Sequence, residues 1–194
     1  MPKVVDHHER RTRIAAALLR VAADRGIEAV SLRHVATEAG VSSGMVQHYF
    51  RTKDEMMTFA LAVVAENVMS RMSGKPVAET PASMIRTLVV ELLPFDEQRR
   101  IEGRVLLAFH AHAANNPTIA GLLRENANRL RAYLTDRIGA AQAAGTTASR
   151  LDAGHIATGL LALADGLGVN VLVDHYTADE ALATFDAYLT AVLG

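Results

Sequence analysis

Apolar residues recur every three or four positions along nearly the whole chain, a spacing that predicts helices rather than strands. Turn residues and helix-capping residues divide this pattern into nine segments. The predicted helices are 6–25, 31–39, 44–50, 53–72, 82–93, 96–115, 118–144, 151–175 and 179–193. We therefore expect an all-α protein.

The first three predicted helices form a small head with its own apolar core. Within this head, residues 31–50 have the layout of a helix-turn-helix. Gly40 ends one helix, Val41 fills the angle between the helices, and Ser42 or Ser43 caps the next one. The residues expected to form the core are Ile14, Leu18, Val21, Ile27, Leu32, Val35, Ala39, Val41, Val46 and Phe50.

The outer side of the third predicted helix carries side chains suited to nucleic acid. Val46 and Phe50 face inward, and none of the remaining residues of 44–50 is acidic. Glutamine can hydrogen-bond base edges, and histidine and tyrosine can donate to phosphate oxygens. Lys53 opens the following helix, whose N-terminus suits a phosphate. The predicted DNA contacts are Ser31, Arg33, Ser42, Ser43, Gly44, Met45, Gln47, His48, Tyr49 and Lys53.

Charge is divided unevenly between the two ends of the chain. The net charge is −1, but residues 1–53 hold nine Lys or Arg and five Asp or Glu, whereas residues 54–194 hold eleven and sixteen. A basic head (residues 1–53) followed by an acidic body (residues 54–194) suits a protein whose head contacts phosphates. Arg10, Arg11 and Arg13 crowd the start of the first helix. They could contact phosphates or the minor groove, or could form an ordinary solvated face.

The helix-turn-helix stretch resembles the signature of the tetracycline-repressor (TetR) family of transcriptional regulators. The resemblance rests on Gly-Val-Ser-Ser-Gly at 40–44, His-Tyr-Phe at 48–50 and Lys53. The stretch 93–100 is similar to the subgroup that includes the repressor of glycine-betaine synthesis. The resemblance implies a DNA-binding domain over 1–53 and an effector-binding and dimerisation domain over 54–194. It also implies a homodimeric repressor that binds a palindromic operator and is released by a small-molecule effector.

The predicted helix 151–175 is apolar on nearly every side, so all of its sides should be buried. In a body of this size, a second subunit most simply covers one side, with 179–193 completing a four-helix bundle across a two-fold axis. The alternative is that 151–175 is the central strut of a monomer. We favour the dimer, because a helix-turn-helix of this size reads one half-site and dimers bind two.

The resemblance also implies an effector pocket in the body. Its candidate residues are Phe59, Val63, Leu88, Leu92, Leu106, Phe109, His110, Asn126 and Asn170, although the apolar ones suit a plain core equally well. Buried asparagines need hydrogen-bond partners, which a ligand, a backbone carbonyl or another subunit could supply. The subgroup suggests a choline-like effector, and the candidate rings for it are Phe59, Phe95, Phe109 and Tyr133. Gly103 stands where the subgroup commonly has tryptophan.

The sequence offers no catalytic constellation and no metal site. Cysteine is absent, and no Ser-His-Asp arrangement, glycine-rich phosphate loop or His-Glu-x-x-His motif occurs. His110 and His112 lie two positions apart on one predicted helix, so they should face different sides. We therefore expect a protein that is not an enzyme and that uses neither a metal nor a cofactor.

The expected partners are double-stranded DNA, a second copy of the chain and a small molecule. The chain has no signal-peptide pattern and no run of eighteen apolar residues, so we expect a cytoplasmic protein that does not contact a membrane. One alternative function is a regulator that docks onto another protein through its helical head. A small helical enzyme is the other alternative.

Overall fold

The computed structural model describes residues 7–76 and 80–194. These residues form nine α-helices and one turn of 3-10 helix and contain no strand, which confirms the all-α prediction. The helices are α1 (His7–Arg25), α2 (Leu32–Ala39), α3 (Ser43–Tyr49), α4 (Lys53–Ser73), α5 (Pro81–Leu92), α6 (Glu97–Ala113), α7 (Pro117–Ala143), α8 (Ala153–Leu172) and α9 (Ala178–Leu193). The predicted first residue of the first helix, Asp6, lies outside the described residues.

The bounds of α8 differ most from the prediction, and local hydrogen bonds explain both ends. At the start, the side chain of Asp152 accepts a hydrogen bond from the backbone N–H of His155, so Asp152 caps the helix. At the end, Asp174 adopts a left-handed backbone with φ 56°. This conformation turns the chain back, and the N–H of His175 donates to the Asn170 carbonyl at 2.9 Å.

The chain divides into two compact units. The first consists of Met1–Met69 and Arg104–Leu122, and the second consists of Ser70–Gly103 and Leu123–Gly194. This division follows packing within the chain. The functional boundary expected after residue 53 is a different kind of division and stays a prediction.

In the first unit, α1 packs against α2, and α2 packs against α3. Most of the residues expected to form the core of the head are buried, and only Leu32 and Val41 are half-buried. Each large apolar side chain removed from water contributes about 1.5–3 kcal/mol. The three helices of the head are therefore held together by a shared apolar core.

In the second unit, α8 packs against α9, and α5 packs against both. Ile156, Leu160 and Leu167 are buried on one face of α8, but Val169 on another face is 38 % exposed. One protomer therefore leaves one side of this helix exposed, and burial of that side by a second subunit stays a prediction. By length and composition alone α8 could also cross a membrane, a test that core helices of soluble proteins meet as well.

A buried ion cluster in the second unit joins the end of α4 to α5 and to the start of α6. The carboxylates of Glu91 on α5 and Glu102 on α6 are only 3 % and 5 % exposed. Arg71, near the end of α4, bridges them with contacts of 3.0 Å to Glu91 and 2.9 Å to Glu102. Burial alone would lower the pKa of Arg71, but hydrogen bonds and charges from Glu102 and Glu91 outweigh it and raise that pKa.

Replacing Arg71 tests this cluster. Arg71→Ala is expected to lower the free energy of unfolding by about 3 kcal/mol, because buried Glu102 loses this cation, whereas Glu91 keeps its ion pair with Lys75 at 3.1 Å. The matched control is Arg86→Ala, which removes an exposed ion pair with Asp186 at 2.8 Å. It should cost less than about 1 kcal/mol. Urea unfolding of both variants measures the difference, and equal losses would contradict the structural role of the cluster.

Candidate DNA-binding interface

The helix-turn-helix is built by local hydrogen bonds that its sequence encodes. The hydroxyl of Ser31 caps α2 by accepting from the N–H of His34 at 3.2 Å. Gly40 follows α2 with a left-handed φ of 66°, which a residue with a side chain rarely adopts. The N–H of Val41 then donates to the Ala36 carbonyl at 3.0 Å. These bonds fix the turn between the two helices.

The turn delivers the chain to α3, whose start is capped by Ser42. The Ser42 hydroxyl accepts from the N–H of Met45 at 3.1 Å, so Ser42 rather than Ser43 is the cap. Val46 within α3 and Phe50 directly after it are both fully buried. The helix is therefore capped at its start and anchored in the core of the head at its middle and its end.

The exposed side of α3 consists of Ser43, Gly44, Gln47 and His48, which we call the α3 face. It carries hydroxyl, amide and imidazole groups and no carboxylate. A helix of this kind can present hydrogen-bonding groups to base edges and phosphates without repelling them. All four are among the predicted DNA contacts, and their contact with DNA stays a prediction.

Two other predicted contact residues of α3, Met45 and Tyr49, are half-buried and engage the head itself. The sulfur of Met45 accepts from Nη1 of Arg10 at 3.7 Å. The ring of Tyr49 packs edge-on against the rings of His48 and His7, with centroid distances of 5.2 and 5.6 Å. Only part of each side chain is accessible to a partner.

The remaining predicted contact residues differ in their exposure and in the hydrogen bonds that they already make. Arg33 is exposed on α2. Lys53, by contrast, is half-buried, and its ammonium donates to the backbone carbonyl of Ile27 at 3.0 Å. The hydroxyl of Ser31 is occupied as a helix cap. Contact of these residues with DNA stays a prediction.

The arginines at the start of α1 contact other elements of the first unit. Neither the interpretation as DNA contacts nor that as a solvated face anticipated these contacts. Arg10 reaches the sulfur of Met45, and Nη2 of Arg13 donates to the carbonyl of Ala39 at 3.1 Å. The guanidinium of Arg11 lies over the rings of Phe50 and Phe59. The last carbonyls of a helix lack partners within the helix, so a donor near the end of α2 could be expected from the sequence. The sequence does not indicate which arginine supplies it.

The candidate effector residues are distributed over both units. The first unit contains Phe59, Val63, Leu106, Phe109 and His110, and the second contains Leu88, Leu92, Asn126 and Asn170. Two open cavities of about 370 and 260 Å³ occur in the second unit, and none of these nine residues lines either one. Leu92 and His110 are exposed, and the amide of Asn170 donates to the Gly166 carbonyl at 2.7 Å. The effector pocket stays a prediction.

The candidate rings for a cationic effector already have other contacts. Guanidinium groups lie over three of them, with distances to the ring centroids of 4.5 Å at Phe59, 5.9 Å at Phe95 and 5.3 Å at Tyr133. The fourth ring, Phe109, is fully buried. A ligand cation would compete with arginine for the first three rings.

Comparison with known protein families gives two matches that together span most of the chain. Residues 14–58 match the family described as bacterial regulatory proteins, tetR family. Residues 81–194 match the family described as BetI-type transcriptional repressor, C-terminal. The first match covers the helix-turn-helix, and the second covers α5 to α9.

Individual relatives agree with these families. The chain is 34% identical over 179 residues to the HTH-type transcriptional regulator PksA of Bacillus subtilis, a match covering 90% of this chain and 84% of PksA. It is also 34% identical to a transcriptional regulator of Rhodococcus sp. Rha1 of known structure, with a TM-score of 0.82 and coverage of 94% and 95%. A regulator from Saccharomonospora viridis, solved in complex with choline, has 25% identity, a TM-score of 0.76 and coverage of 95% of each chain.

The cap of α3 yields a prediction that needs no DNA. Ser42→Ala should destabilise α3 by about 1 kcal/mol, because the N–H of Met45 loses its side-chain acceptor. Hydrogen exchange of the α3 amides should then be faster in the free protein. Ser43→Ala is the matched control, since Ser43 is not the cap. Equal exchange rates in the two variants would show that the cap does not stabilise α3.

Proposed function

Since the chain belongs to the TetR family of transcriptional regulators, we propose that it is a homodimeric repressor that binds a palindromic operator and is released by a small-molecule effector. In this proposal residues 1–53 bind DNA, and residues 54–194 bind the effector and form the dimer. The family consists of regulators, not enzymes, so the chain is a DNA-binding regulator and not a catalyst. We propose a cytoplasmic location, because DNA is the partner.

The observation that carries the DNA-binding proposal is the α3 face. Its four exposed residues belong to a helix that buries Val46 completely and is capped by Ser42. The helix that carries them is therefore in place before DNA binds. A helix fits the major groove of B-DNA, where base pairs present distinct donor and acceptor patterns. In our proposal Gln47, Gly44 and the accessible part of Met45 meet base edges.

Phosphate contacts are proposed for the residues around this face. Arg33 on α2 and His48 on α3 are exposed, and the hydroxyl of Ser43 lies at the first residue of α3. Tyr49, Lys53, Ser31 and Ser42 complete the proposed set. Such contacts fix the register of a protein on the duplex but do not read sequence.

The dimer proposal rests on an exposed face of α8 and α9. On α8 this face contains Gly159, Ala162, Gly166 and Val169, and a Cβ added at either glycine would meet nothing within 4 Å. On α9, Tyr188 is 59 % exposed. Small residues allow helices of two copies to approach closely, and a two-fold axis would make the four helices a bundle. Two heads could then bind two half-sites.

An effector is supported by a relative of known structure that was solved in complex with choline. We propose that a small molecule binds the carboxy-terminal part of this chain and lowers its affinity for the operator, by favouring a conformation that binds DNA poorly. An aromatic cage of the kind that binds quaternary ammonium groups has no support here, because arginines lie over Phe59, Phe95 and Tyr133.

Two substitutions test the proposed division between base and phosphate contacts. The probe is the preferred duplex that the wild-type protein recovers from a random-sequence library. Arg33→Met should weaken binding to all duplexes and reduce the slope of log affinity against log salt by about 1, because one phosphate contact is lost. Gln47→Ala should relax sequence preference at one position and cost about 1–3 kcal/mol on the preferred duplex.

The control for both variants is Arg25→Met, which alters an exposed residue of the last turn of α1. It should leave affinity, sequence preference and salt slope unchanged. If the wild-type protein recovers no preferred duplex and its binding shows little salt dependence, the head docks onto another protein instead and the operator proposal is wrong.

A charged side chain on the exposed face of α8 tests the dimer. Gly166→Arg should convert the dimer to a monomer in analytical ultracentrifugation, because the new side chain is accommodated within one protomer but blocks close approach of a second. Helical content should not fall, because glycine is the poorer helix former. Ala132→Arg, at an exposed position of α7, is the matched control and should stay dimeric. A dimer that survives Gly166→Arg would exclude this face.

A further inference from the structure

Arg11 lies where three helices of the first unit meet. Its guanidinium carbon is 4.9 Å from the ring centroid of Phe50 and 4.5 Å from that of Phe59. Phe50 directly follows α3, whereas Phe59 belongs to α4 and Arg11 to α1. The two rings are themselves in contact, with centroids 5.5 Å apart. The planar cation therefore bridges α1, the carboxyl end of α3 and the start of α4.

Arg11 has an ion-pair partner within the first unit. Its Nη2 lies 3.8 Å from Oε1 of Glu55, a carboxylate that also accepts from the backbone N–H of Arg51 at 2.9 Å. Its Nε is buried and has no hydrogen-bond partner among the described residues. Ring faces, rather than hydrogen bonds, thus make most of the close contacts of this guanidinium, an arrangement typical of cation–π pairs.

This environment distinguishes Arg11 from an arginine that binds phosphate. A phosphate-binding guanidinium must present its donors to the partner, as the exposed Arg33 can. Arg11, by contrast, has one face of its guanidinium on the rings of Phe50 and Phe59, its Nε buried and its Nη2 beside Glu55. Without Arg11, Phe50 would lose the group that covers it at the point where α3 ends.

We propose that Arg11 is a positioning residue for DNA binding, which fixes the carboxyl end of α3 against α1 and α4 and makes no phosphate contact. The inference rests on the proposed function, because it assumes that α3 enters the groove. A misplaced α3 would weaken binding to every part of an operator. Since no phosphate contact would be lost, the number of ions released on binding would not change.

The test compares Arg11→Met with Arg33→Met on the duplex that the wild-type protein recovers from a random-sequence library. Both variants are expected to bind about tenfold more weakly. The slope of log affinity against log salt should fall by about 1 for Arg33→Met and should stay at the wild-type value for Arg11→Met. Arg25→Met is the control for loss of a positive charge from α1 and should match the wild type in both measurements.

A second measurement uses the free protein and is independent of DNA. Backbone hydrogen exchange at the α3 amides and at Phe50 should be about tenfold faster in Arg11→Met, and unchanged in Arg33→Met and Arg25→Met. If the wild-type protein recovers no duplex, the proposed function fails, while faster exchange in Arg11→Met still establishes that Arg11 holds α3 in place. The two failures are therefore distinguishable.

A fall in salt slope for Arg11→Met equal to that of Arg33→Met, with unchanged exchange, would overturn the proposal and make Arg11 a phosphate contact. Unchanged affinity together with unchanged exchange would overturn it as well. If Arg11→Met does not fold, Arg11→Lys carries the test, because lysine keeps the charge but has no planar group to cover both rings. It should speed exchange at Phe50 by a few fold, and wild-type exchange in this variant would contradict the proposal.

Discussion

The seven-residue length of α3 is the constraint on which the head depends. An isolated helix shorter than about 12 residues is marginal in water, so α3 must obtain its stability from its surroundings. Ser42 caps its start, Val46 anchors its middle, and Phe50 closes its end under the guanidinium of Arg11. Because so few residues fasten the helix, most of its surface remains available for a partner. A short helix that is capped at its start and anchored at its middle and its end can therefore be both rigid and exposed, which a DNA-reading helix requires.

Basic residues of the head have two different tasks, although they count equally in a charge balance. Arg10 and Arg13 contact the sulfur of Met45 and the carbonyl of Ala39, and Lys53 holds the carbonyl of Ile27. These donors join α1 to α2 and α3, and join α4 to the 3-10 turn Ile27–Ala29, whereas Arg33 faces solvent. The positive balance of residues 1–53 thus overstates the number of phosphates that the head could neutralise. The attraction to DNA is better judged from the exposed cations than from composition.

The features that the sequence predicted well are those with a local cause. The capping residues, the left-handed Gly40 and the apolar period account for the helices of the head and for most of its core. The partners of long polar side chains, such as Glu102 with Arg71, depend on tertiary packing and leave no periodic signal. The apolar period was enough to assign side chains of α3 to an outer face. It could not separate the residues of a pocket from those of a plain core, because that distinction depends on tertiary packing. The apolar period of α8 likewise did not indicate which of its faces a single protomer leaves exposed.

The packing at Gly103 bears on how far family membership extends to ligand chemistry. A Cβ at this position would lie 3.2 Å from Cδ1 of Leu172, so any larger residue requires this leucine to move. Leu172 therefore occupies the space beside position 103, and the chain has no tryptophan anywhere. The family match over residues 81–194 establishes the fold of this region, but a binding site is made by particular side chains. Since Leu172 fills the space beside position 103 and arginines lie over Phe95 and Tyr133, the effector that we propose would be held by contacts other than an aromatic cage.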